Sequence, residues 1–116
     1  LGMIFEKENL LKKAIEEYER CIKINTLDPK AYYRLGTIYA QKLLDARGEW
    51  YFKKTIELAP DFAPGYYNLC VLYLSLPKPD YPKAREYFNK AKELGFKTDE
   101  KIERILEEKP ERIKTD

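Results

Sequence analysis

Histidine is missing from this chain of 116 residues, glutamine occurs only as Gln41, and cysteine only as Cys21 and Cys70. Without imidazole, proton transfer near neutral pH falls to carboxylates or tyrosines. The carboxylates here sit on the polar sides of helical patterns and the tyrosines on apolar stripes, so neither set converges on a reaction centre. Two cysteines without histidine fall short of the four closely spaced ligands of a structural zinc site. The five glycines are isolated, which leaves no glycine-rich loop to cradle a phosphate. No run of about 20 apolar residues is present to cross a bilayer as a helix. Charge of one sign is also lacking: 22 basic and 20 acidic residues alternate along the chain and leave a net charge of +2, so no basic face builds up for nucleic acid. The expectation is a protein that is not an enzyme, uses no cofactor or metal, and has neither a small-molecule substrate nor a nucleic-acid partner.

What is present is apolar and aromatic. Hydrophobic residues make up 44% and charged ones 36%, with ten tyrosines and five phenylalanines, a composition that folds rather than stays disordered. The length fits one domain. The charged set is rich in Lys and Glu, a bias shared with proteins from hot environments. Glu16 with Arg20, Glu19 with Lys23, and Glu86 with Lys90 stand four apart with the acid first, the order that supports a solvated helix face.

A 34-residue period organises the chain. Leu1-Gly2, Leu35-Gly36 and Leu69-Cys70 recur at that interval, as do Phe5, Tyr39 and Tyr73. A unit this short cannot bury its apolar face alone, so copies must stack. Apolar spacing predicts a helix from about Leu10 to Asn25, built on Leu11, Ala14, Ile15, Tyr18 and Ile22. Asp28-Pro29 opens a second, to about Lys42, with the stripe Tyr32, Leu35, Gly36, Tyr39. A third, from about Asp45 to before Pro60, carries Gly48, Tyr51, Phe52, Thr55 and Ile56. From Pro64 to Ser75 two faces are apolar: Tyr66, Leu69, Cys70, Tyr73 on one, and Tyr67, Val71, Leu74 on the other. The prolines between Pro77 and Pro82 break that helix. Ala84, Phe88 and Ala91 then lie 36 residues beyond Gly48, Phe52 and Thr55, a two-residue insertion. Gly95 is placed for a left-handed helix end, and Thr98-Asp99 starts a last helix with a narrow stripe of Ile102, Ile105 and Leu106.

These residues resemble the tetratricopeptide repeat, a 34-residue helix-turn-helix unit. The second unit carries the pattern most fully: aromatic Tyr32, Leu35-Gly36, Tyr39, small Gly48, Phe52, small Thr55 and closing Pro60. Thr26 and Phe96 stand where proline usually closes a unit, and Cys70 where glycine is usual. The resemblance implies an all-α, right-handed superhelical solenoid of antiparallel helix pairs, about 2.5 repeats plus a C-terminal capping helix. Its divisions are a partial repeat over 1–26, repeats over 27–60 and 61–96, and a capping helix with tail over 97–116.

By the same resemblance, the first helix of each unit lines an inner, concave groove that holds a peptide or helix of a protein partner. The lining positions are Met3 and Lys7, then Lys30, Tyr33, Thr37 and Gln41, then Tyr67, Asn68, Val71, Leu74 and Ser75. Family members that grip a C-terminal carboxylate use Lys, Asn and Arg at matching places. Here Met3, Tyr33, Thr37 and Pro64 replace most of them, and Lys30, Arg34 and Asn68 are too few donors for that clamp. For Tyr33, Tyr67, Val71 and Leu74 two readings stand side by side: a docking surface for a partner, or packing against a terminal helix of this chain or a second copy. Trp50, about 200° from the Phe52 stripe, is expected to be exposed, as an interface residue or lying over aliphatic stems. Cys21 and Cys70 are expected to be buried free thiols.

The first residues, Leu1 to Phe5, form an apolar stub that opens within a repeat. That leaves open an ordinary boundary, further solenoid upstream, or a membrane anchor upstream. A scaffold for protein contact is the leading functional expectation. The alternative is a self-associating structural module, a homodimer for example, or the soluble domain of a membrane-anchored protein. The compartment follows the same division, cytoplasm or membrane-tethered.

Overall fold

The computed structural model describes the backbone of residues 2–42 and 45–108, with side chains for residues 7–42 and 46–108. The described residues form six helices and no strand, and they cluster in two compact units that divide after Leu58.

The first unit contains α1 (Gly2–Ile24), α2 (Pro29–Gln41) and α3 (Asp45–Leu58). Helix α1 is longer than the apolar spacing predicts, running unbroken through residues 6–9. Glu6-Lys7-Glu8 are good helix formers and no Gly or Pro stands between Met3 and Leu27, so nothing local stops propagation. Helix α2 begins where aspartate and proline predict: the Lys30 amide donates to the Asp28 carboxylate at 3.0 Å, and Pro29 holds the first helical position. This helix packs against both α1 and α3. It therefore buries more than the predicted stripe of Tyr32, Leu35, Gly36 and Tyr39, adding Ala31 and Ile38.

Small residues let α2 and α3 approach. A Cβ on Gly36 would lie 2.7 Å from two ring carbons of Phe52, and one on Gly48 would lie 3.3 Å from the backbone nitrogen of Ala40. Thr55, fully buried on α3, donates its hydroxyl to the Tyr51 carbonyl at 2.8 Å, so a polar side chain is accommodated at a small position without an unpaired group.

The second unit contains α4 (Ala63–Ser75), α5 (Tyr81–Glu93) and α6 (Glu100–Glu108). Helices α4 and α5 form a hairpin like α2 and α3, but residues 76–80 separate them where residues 42–44 separate the earlier pair. Asp80 anchors the longer turn at both ends: its amide donates to the Tyr73 carbonyl at 3.1 Å, and its carboxylate accepts the Lys83 amide at 3.1 Å. Helix α5 closes with Gly95 at φ +93°, the Gly95 amide donating to Lys92 and the Phe96 amide to Ala91. This paired arrangement needs the left-handed conformation that glycine supplies. Asp99 then caps α6, accepting the Lys101 amide at 2.8 Å. Of the expected α6 stripe, Leu106 is buried, Ile102 half-buried and Ile105 exposed.

Several local expectations are corrected. Arg20 pairs with Glu17 at 2.6 Å instead of Glu16, and Lys90 reaches Glu93 at 3.7 Å instead of Glu86. Both use the neighbour three residues away, which also lies on the same helix face. Cys70 is fully buried and Cys21 only half-buried, and both thiols are free. Burial pushes the Cys70 thiol up to about 12.

Candidate protein-binding faces

The two hairpins share an aromatic framework, contact for contact. In the first unit Tyr32 lies 6.3 Å from Tyr51, Tyr39 stacks on Tyr51 at 5.5 Å, and Tyr33 lies 6.0 Å from Phe52. In the second, Tyr66 lies 6.3 Å from Tyr87, Tyr73 stacks on Tyr87 at 5.7 Å, and Tyr67 lies 6.5 Å from Phe88. The polar ends repeat too. Tyr32 donates its hydroxyl to the Thr26 carbonyl at 3.0 Å, and Tyr66 donates to the Pro60 carbonyl at 2.7 Å. A cation covers each stack, Arg47 at 5.3 Å from the Tyr39 ring and Lys83 at 5.7 Å from the Tyr73 ring. Contacts on α2 and α4 recur after 34 residues and those on α3 and α5 after 36, so the insertion lengthens a turn without changing the packing.

On each of α2 and α4 the framework residues alternate with the positions expected to line a groove. On α2, Lys30 and Gln41 are exposed and Tyr33 and Thr37 half-buried. Tyr33 leans on Phe52 at one edge, and Thr37 turns its hydroxyl back to the Arg34 carbonyl at 2.7 Å. On α4, Asn68 and Leu74 are half-buried and Val71 is 36% exposed. Ser75, also exposed, donates its hydroxyl back to Val71 at 2.8 Å. Lys7 on α1 is exposed, and the side chain of Met3 lies outside the described residues.

Tyr67 differs from the rest because the chain itself uses it. Its ring packs 4.6 Å from Phe96, and its phenolic oxygen accepts the Asp99 amide at 3.1 Å. Burial raises its pKa against the opposing effect of that hydrogen bond. The residue that stands where proline usually closes a repeat thus seats the segment leading to α6. Arg85, donating to the Leu106 carbonyl, and Lys92, 3.1 Å from Glu103, hold α6 against α5. Phe96 was legible only as a departure from the repeat pattern; its partner could not be read from spacing.

Trp50 is 57% exposed, as its position on α3 implies. It stands edge-on to Tyr51, with centroids 5.1 Å apart and planes at 88°, and 6.4 Å from Tyr32. Two of its neighbours are thus aromatic rings of the framework.

Among the described residues no group of three or more His, Cys, Asp or Glu side chains is arranged to hold a metal ion, and no helix is long and apolar enough to cross a membrane. The tetratricopeptide repeat family model matches residues 1–26.

That match covers the first helix of the first unit, although residues 27–60 carry the repeat's residue pattern most fully. Solved structures resemble this chain over a longer stretch. A crystal structure of MamA superposes with a TM-score of 0.69 at 29% identity, covering 81% of this chain and 54% of its own. A second MamA crystal structure gives 0.67 at 29% identity, over 81% of this chain and 50% of the other. The MamA RS-1 ArsTM double mutant gives 0.67 at 27%, over 80% and 51%. The chain thus spans about half the length of these structures. No curated protein matches it.

Proposed function

We propose that this chain is a non-catalytic scaffold that holds a peptide or helix of a protein partner, with the side of α2 turned away from α3 and the side of α4 turned away from α5 each taken by itself as a candidate contact face. Tetratricopeptide repeats suggest protein contact in general, and the particular residues come from the geometry of each unit. The observation that carries the reading is Val71, an apolar side chain left 36% exposed beside half-buried Leu74, on a helix whose other face is consumed by the aromatic framework. In the first unit the corresponding side offers Lys30, Tyr33, Thr37 and Gln41, a more polar lining. Apolar anchors with polar neighbours suit an amphipathic segment better than a free carboxylate.

The alternative is a self-associating module, including the soluble domain of a membrane-anchored protein, in which a second copy covers Val71. Replacing Val71 and Leu74 together with Ser separates these readings from a purely internal role. Loss of partner capture with unchanged thermal unfolding supports the scaffold. Light scattering that shows concentration-dependent mass in the parent and a monomer in the variant supports self-association. Capture and mass both unchanged would reject the two together.

A further inference from the structure

The duplicated framework contains one place where the two units differ in what they fill. In the first unit the indole of Trp50 stands against Tyr51 at 5.1 Å and Tyr32 at 6.4 Å. The residue 36 positions on is Glu86, exposed on α5, and the rings corresponding to Tyr51 and Tyr32 are Tyr87 and Tyr66. Without an indole there, Tyr66 and Tyr87 border an open cleft of about 340 Å³, completed by Glu86, Asn89, Lys90 and Glu93.

We propose that this cleft receives a tryptophan side chain from a partner polypeptide, in the place that Trp50 takes in the first unit. Three observations support this occupant. The two walls are built alike, Tyr66 and Tyr87 being separated by the same 6.3 Å as Tyr32 and Tyr51. Lys90 pairs with Glu93 at 3.7 Å just as Lys54 pairs with Glu57 at 3.7 Å beside the indole of the first unit, and its ammonium, 6.0 Å from the centre of the Tyr66 ring, is an exposed, flexible group that the incoming ring displaces. Finally, Glu86 has no ion pair among the described residues and stands at the rim, where it favours a lysine or arginine flanking the incoming ring. Tryptophan supplies a large apolar surface with little rotamer entropy to lose, which suits a shallow site with two aromatic walls. The site uses none of the residues of the α2 and α4 faces, so either proposal can fail without the other.

The test is titration of the isotope-labelled chain with the capped tripeptide lysyl-tryptophyl-lysine and with its alanine-centred analogue, followed by amide NMR shifts. Saturable shifts at Tyr87, Asn89 and Lys90 are expected with the tryptophan peptide alone, with a dissociation constant on the order of 1 mM for a single anchoring side chain. Glu86→Trp, which fills the cleft from within as in the first unit, should abolish them. Glu86→Lys, an exposed change that leaves the packing alone, should weaken them roughly two- to fivefold. Equal shifts with the alanine peptide, or shifts that survive Glu86→Trp, would overturn the proposal. So would shifts at these amides that grow with protein concentration alone and vanish in Trp50→Ala, which would assign the cleft to a second copy.

Discussion

Tyr39 lies flat on Tyr51, ring centroids 5.5 Å apart and planes 8° from parallel, and Tyr73 repeats this on Tyr87 at 5.7 Å and 1°. Each stack joins the first helix of a hairpin to the second, and each has a cation over its outer ring. The stacks therefore belong to hairpin stability. A double-mutant cycle with Tyr39→Leu and Tyr51→Leu should give a coupling of about 0.5–1.5 kcal/mol, and the Tyr73 and Tyr87 cycle a similar value, by urea unfolding. Additive single effects at either pair would show that the rings contribute only buried area.

Gly36 and Gly48 should respond differently to alanine. Alanine favours a helix over glycine by up to about 1 kcal/mol, but overpacking a close contact costs about 1–3 kcal/mol. At Gly36 the new methyl would meet Phe52 at 2.7 Å, and Phe52 is fully buried with nowhere to go, so the clash wins. At Gly48 the nearest atoms are 3.3 Å away and the two effects nearly cancel. Thermal unfolding should show Gly36→Ala clearly destabilised and Gly48→Ala close to the parent.

Gly95 has open space around the position of a Cβ but a φ of +93°, so Gly95→Ala is strained by conformation alone. A loss of about 1–2 kcal/mol is expected from the left-handed geometry. Because Gly95 precedes Phe96, hydrogen exchange should also quicken at the amide of Asp99, whose acceptor is the Tyr67 hydroxyl.

The two thiols should label at different rates. Cys21 is half-buried and Cys70 fully buried, so one fast equivalent is expected from the folded chain and two in denaturant. The Cys70 thiol is pushed up from an ordinary 9.0 to about 12, so its slow labelling should not accelerate between neutral pH and pH 9 while the chain stays folded. A folded-state value above the unfolded one means the buried neutral thiol contributes stability that is complete below about 9 and is lost as pH climbs toward 12. Unfolding midpoints of the parent and Cys70→Ala should accordingly converge in that interval.

Much of the hairpin architecture was legible in the sequence because it rests on local, repeated signals. Asp28-Pro29 and Asp99 cap helices as their side chains dictate, and the isolated Gly95 ends one. What escaped was set by neighbours. Ala31 and Ile38 are buried because α2 packs on two helices, a fact absent from its own stripe. The contact between Tyr67 and Phe96 joins residues 29 apart through a chain end that periodicity treats as irregular. The cleft beside Glu86 is visible only when one unit's packing is laid against the other's.

The most direct test of the central claim is site-specific photocrosslinking with benzoylphenylalanine at Val71, compared with the exposed α6 residue Lys101. Adducts of one discrete polypeptide at Val71 and none at Lys101 are the predicted result. Equal labelling at both positions, or none at Val71 in a folded chain, would contradict it.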